Sequence, residues 1–133
     1  MFGGFVFPIL ADLLGRRRIL LLGSFLGSSA IICGGFSANL DNLYIAFFIA
    51  GFGLSGYETV VYVYITEISA IRFRSIASSL LVVVWGSAML VYPFIVDALD
   101  YWRDLMKFAI GLPLLILTFI SYFYYVESPR WLA

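Results

Sequence analysis

The sequence predicts an all-α, multi-pass membrane protein, on three observations. The 133 residues are 63% hydrophobic, with a mean hydropathy of +1.04. Only 12% are charged, against about 25% in an ordinary soluble domain. Those charges gather in short segments, leaving long uncharged runs of the kind that cross bilayers.

The same composition excludes several function classes. Net charge is zero, which argues against a nucleic-acid partner. Histidine is absent, which removes His-based catalysis and His metal sites. No nucleophile–base pair or metal-ligand spacing is visible, so catalytic residues, metals and cofactors are not expected. The one cysteine, Cys33, lies in an apolar run. It is expected to act as a small buried hydrophobe and allows no internal disulfide. Basic residues follow the first apolar stretch instead of preceding it, so a signal peptide is not expected.

Five segments are predicted within a single transmembrane domain, at 1–14, 19–37, 43–68, 76–96 and 105–126. The first has only eleven apolar residues, Met1–Ala11, which as a helix cover ~16 Å, about half of a ~30 Å hydrocarbon core. The second carries Gly23 and Gly27 in a GxxxG step, with Gly34 on the same face. Small residues at this spacing let helix backbones approach closely. The third opens after the polar turn 38–42 and carries Glu58 and Glu67. The fourth contains Trp85 and ends near Tyr92-Pro93. Tyr101 and Trp102 then sit at interfacial positions, and Lys107 lies near enough to the fifth segment's end to snorkel.

Charge alternates between the turns. Those at 15–18, 69–75 and 127–133 hold six of the eight basic residues. Those at 38–42 and 97–107 hold Arg103 and Lys107 against Asp41, Asp97, Asp100 and Asp104. The positive-inside rule assigns the first set to the cytoplasm. The first segment is then expected to be a true crossing that begins upstream of Met1, with a re-entrant piece as the alternative.

Three constellations in these turns carry a resemblance. Asp12, Gly15, Arg16 and Arg17 match the loop signature after the second helix of the major facilitator superfamily, with Pro8 and Leu13 departing from it. Glu67 and Arg74 resemble the family's glutamate at the end of helix four and the arginine of the following turn. Glu127-Ser-Pro-Arg130-Trp-Leu resembles the signature after helix six, with Val126 in place of its leading proline. The resemblance covers essentially the whole chain. It implies helices two to six of a twelve-helix carrier: a major facilitator-type N-terminal half lacking its first helix. Such halves contain two three-helix repeats of inverted topology. The resemblance further implies a cytoplasmic latch of Asp12, Gly15, Arg16, Arg17, Glu67, Arg74, Glu127 and Arg130, which breaks and reforms as access alternates. Solvated surface charge is the alternative reading of these residues.

Glu58 stands apart. It precedes Glu67 by nine residues, which puts it ~13 Å inside that end of the helix. An ionisable residue at such depth costs at least ~2.5 kcal/mol and faces a cavity or a partner. Tyr62 is a neighbour at helical spacing and Tyr57 adjoins it in sequence. A carboxylate beside tyrosines attracts organic cations by charge and cation–π contact. Glu58, Tyr57 and Tyr62 are therefore the expected substrate contacts. The alternative is a protonated Glu58 bonded to a neighbouring helix.

Family details point to the organic cation/anion branch. Tyr62, Ala70 and Ser75 replace the prolines and glycine usual in sugar porters, and Trp102-Arg103-Asp104-Leu105 resembles the organic-ion outer loop. Phe47 occupies the place of an early helix-four arginine, so proton coupling through that arginine is not expected. The resemblance thus implies transport of a small organic ion by alternating access, in a multi-pass protein of the plasma membrane. The lipid bilayer, the organic ion, and a C-terminal half or intact carrier are the expected partners. A fragment without that half is expected to be inactive alone. The rival expectations are a sugar porter and a non-transporting, truncated membrane protein.

Overall fold

A computed structural model describes residues 2–99 and 101–125. The exit segment 127–133, with Glu127 and Arg130, lies outside the described residues. Five helices follow one another: α1 Gly3–Leu14, α2 Arg16–Phe36, α3 Leu40–Ile68, α4 Arg74–Ala98 and α5 Trp102–Tyr124. No strand occurs among the described residues. The helices α2 to α5 are each long and apolar enough to cross a membrane. With 12 residues, α1 spans ~18 Å and does not reach across a ~30 Å core.

The connections are tighter than the sequence suggests. Only Gly15 separates α1 from α2. It takes φ 101°, the one left-handed residue described, where a side chain would be strained. Arg16, Arg17 and Arg18, expected in a turn, form the first turn of α2 instead. Arginine is a good helix former, and nearby carboxylates offset its repulsion by the positive helix end. The α2 end is closed by Ser37, whose Oγ donates to the Gly34 carbonyl at 2.7 Å. Asp41 follows in the first turn of α3, where the helix dipole favours a carboxylate. Within α5, Leu105–Gly111 is wound as a π-helix.

Helix α2 is the hub, packing against α1, α3 and α5. Its glycines decide the closest approach. A Cβ built on Gly53 would stand 2.9 Å from both the Gly23 carbonyl oxygen and the Gly27 nitrogen. The GxxxG step of α2 therefore receives a glycine of α3, backbone to backbone. One end of the bundle is filled by Phe7, Ala11, Ile19, Leu20, Val60 and Tyr64. The other is filled by Ala30, Ile31, Ala50 and Met106. Gly3 and Phe7 of α1 press on Phe52 and Gly56 of α3.

Two expectations change on packing. Cys33 is exposed on α2, in a groove shared with Ile45 and Ile49 of α3, and is not a buried hydrophobe. Its position lies off the α2 face that packs on its neighbours. Lys107 does more than snorkel. Its Nζ pairs with Asp104 Oδ1 at 3.0 Å and sits 4.9 Å from the Phe36 ring centre, while its stem crosses Gly35. Helix α4 buries none of its residues and leans on α3.

Candidate functional site

At the arginine-bearing end, Arg16 joins three segments. Its Nη2 lies 2.7 Å from Asp12 Oδ1 and 3.2 Å from Glu67 Oε1. The Arg16 and Glu67 side chains are 13% and 10% exposed, while Asp12 is 64% exposed. The shared guanidinium thus ties the last turn of α1 and the last turn of α3 to the start of α2. The Arg16–Glu67 pair is largely withdrawn from water and so less screened than the Asp12 pair.

Arg17, the next residue, reaches in another direction. Its Nη2 donates to the Tyr122 carbonyl at 2.7 Å, and the guanidinium lies 5.5 Å from the Tyr122 ring centre. This places a cation on the carbonyls of the last turn of α5, where the helix dipole favours it. One two-residue step at the start of α2 therefore links α1, α3 and α5.

Arg74 is held by other contacts. Glu67 takes Arg16, and among the described residues no ion pair joins it to Arg74. Arg74 is the first residue of α4, and its Nε donates to the Ser69 carbonyl at 3.4 Å. The turn between α3 and α4 holds Arg74 on its own backbone. Gly15 is buried at the α1–α2 break, where it permits the approach of Asp12 and Arg16.

The second place is a cleft of about 840 Å³ between α3 and α4. Glu58, Tyr57, Tyr62 and Thr59 line it from α3, and Leu81 and Trp85 from α4. All three expected contact residues thus share one cleft. Glu58 is exposed within it, and Tyr62 is 49% exposed. Thr59 Oγ1 is bound to the Ser55 carbonyl at 2.9 Å, so its hydroxyl proton is engaged by its own helix. Among the described residues Glu58 is the single charged one in the lining. Apart from Thr59, the other described walls are aromatic and aliphatic, and they come from α3 and α4 alone.

Sequence reasoning missed two parts of this arrangement. Trp85 was visible as an indole inside an apolar run, but no spacing rule relates α4 to Glu58. Tyr125 follows α5, with its hydroxyl 3.5 Å from that of Tyr57 and its ring centre 5.5 Å from that of Tyr64. Only the fold brings residues 57 and 125 together.

Comparison with known proteins decides the family. The model of the Major Facilitator Superfamily matches residues 1–132. The chain belongs to this superfamily. Relatives include organic anion transporter 3 of Pongo abelii, 30% identical over 100% of this chain and 24% of its own length. Monosaccharide-sensing protein 2 of Arabidopsis thaliana is 31% identical over 92% of this chain and 17% of its length. Sugar transporter ERD6-like 7 of the same plant is 31% identical over 100% of this chain and 28% of its length. The superfamily chain thus spans a quarter or so of the relatives it matches, and it is a multi-pass membrane protein of a transporter family. These relatives are named for organic anions and sugars.

Proposed function

We propose that this chain forms part of a carrier that moves a small organic ion across a membrane, the plasma membrane by family expectation, by alternating access. Glu58 carries the reading. It is a carboxylate within a membrane-crossing helix, exposed to a cleft whose other described walls are Tyr57, Tyr62, Trp85, Thr59 and aliphatic side chains. Intramembrane charges are costly and face cavities that use them. A carboxylate among π-faces suits a solute with a cationic head and an apolar body. No basic residue lines the described cleft, which disfavours an anion there. The described walls cover only two sides, so a closed pathway calls for further helices, from a C-terminal half or an associated carrier. This chain alone is then expected not to transport.

In the same reading, the Arg16 cluster belongs to a latch on the cytoplasmic face, with Gly15, Arg17 and Arg74 beside it and Glu127 and Arg130 as further members. The Arg16–Glu67 pair is suited to the task. A two-state switch needs differences of only a few kcal/mol, and a mostly buried ion pair changes by that much when it opens.

The test uses Glu58→Gln in a full-length carrier containing this segment, read by uptake of labelled tetraethylammonium. Uptake is expected to fall at least tenfold at unchanged surface expression, whereas undiminished uptake refutes the assignment. A sugar porter is the second reading, favoured by the sugar-transporter relative. Inhibition of uptake by hexoses and not by quaternary amines selects it.

A further inference from the structure

We infer that Tyr125 is a positioning residue for the cleft, acting through Tyr57 and joining the cleft to the arginine-bearing end. The inference rests on the cleft being the solute site. Tyr57 contributes to the cleft lining, and its hydroxyl oxygen lies 3.5 Å from the Tyr125 hydroxyl oxygen. That separation is at the outer limit of a hydrogen bond, and either hydroxyl can be the donor. Tyr125 is itself held in two ways. Its ring packs against Tyr64, 5.5 Å between centres and tilted by 52°, on the cluster that includes Val60 and Phe7. Three residues earlier, the Tyr122 carbonyl accepts the hydrogen bond from Arg17 at 2.7 Å.

The consequence is a continuous physical connection. Arg17 fixes the last turn of α5, that turn sets where Tyr125 enters the bundle, and Tyr125 limits the rotation of the Tyr57 phenol. Tyr57 and Tyr64 are seven residues apart on one helix, two turns that place them on the same face of α3. Tyr125 therefore bridges two levels of α3, one at the cleft and one near the Arg16–Glu67 pair. Any opening at that pair that shifts the end of α5 withdraws Tyr125 from Tyr57 and frees a cleft wall.

Fluorescence of Trp85, a cleft residue, provides the test. The full chain carries Trp102→Phe and Trp131→Phe, leaving Trp85 as its single indole. It is titrated in detergent with N-methylpyridinium, a cation that quenches indole. Saturable quenching abolished by Glu58→Gln establishes the cleft. Tyr125→Phe keeps the ring contact with Tyr64 and removes only the hydroxyl. It is expected to weaken binding about three- to tenfold, the range of a neutral hydrogen bond, with an unchanged melting midpoint. Tyr57→Phe should match it, and the double variant should lose no more than either. Saturable quenching that ignores Tyr125→Phe, or losses that add in the double variant, overturns the positioning role and leaves the cleft standing. Quenching that never saturates overturns the cleft and the inference with it.

Discussion

Two glycines of α3, two residues apart, provide a controlled test of the packing. An alanine Cβ at Gly53 would meet backbone atoms of α2 at 2.9 Å on two sides. Favourable carbon contacts lie at about 3.5–4.0 Å, so α2 and α3 must separate by about half an ångström. Neither obstacle is a flexible side chain, and overpacking of this kind costs about 1–3 kcal/mol. At Gly51 the same Cβ meets nothing within 4 Å. Both substitutions gain the helix propensity of alanine over glycine, up to about 1 kcal/mol. That gain cancels in the comparison. Gly53→Ala is therefore expected to be less stable than Gly51→Ala by about 1–3 kcal/mol. Far-UV circular dichroism of the purified chain, unfolded by heat or by denaturing detergent, measures the difference. Equal stability, or a more stable Gly53→Ala, refutes the backbone-to-backbone seating of α3 on the α2 glycines.

Three further outcomes are expected. Arg16→Met removes the guanidinium shared by Asp12 and the largely buried Glu67 and should destabilise by about 1.5–3 kcal/mol, the range of a hydrogen bond to a charged group. Asp12→Asn, at an exposed partner, should cost no more than about 1 kcal/mol. Equal losses in a denaturation series would contradict the burial difference between the two ion pairs. Arg17→Ala should release the last turn of α5, read as faster amide hydrogen exchange at 120–125 with α3 unaffected. Unchanged exchange there removes Arg17 as the cap of α5. Cys33 is exposed on α2 and should react with a membrane-permeant maleimide in the folded chain at a rate close to that in denaturant. Strong protection would contradict the exposure of this thiol.

The helical class was legible because apolar runs of bilayer length and clustered charges are properties of the chain read in one dimension. The mutual approach of Gly23, Gly27 and Gly53 was legible by half. The GxxxG step announces a close contact, but not which helix receives it. The same limit governs the ionic cluster. Asp12, Arg16 and Glu67 each belong to a family motif, yet the motifs do not say which arginine pairs with Glu67. The fold prefers Arg16, because α2 and α3 pack along their lengths while Arg74 is held by the α3–α4 turn. The cleft was legible through Glu58, whose charge in an apolar helix demands explanation by itself. Trp85 and Tyr125 were not, since an aromatic residue in a membrane helix has no sequence signal that separates cleft lining from lipid contact.

The sequence by itself determined that this chain is helical, membrane-crossing and a member of the major facilitator superfamily, because hydropathy, charge placement and local motifs act within one segment or one turn. Tertiary structure alone decided which side chains meet: Gly53 with Gly23 and Gly27, Arg16 with Glu67, Arg17 with the end of α5, and Tyr57 with Tyr125. These pairings join residues from 26 to 105 positions apart. They depend on how each helix is rotated about its axis, a quantity set by close packing between neighbours and by no single helix alone.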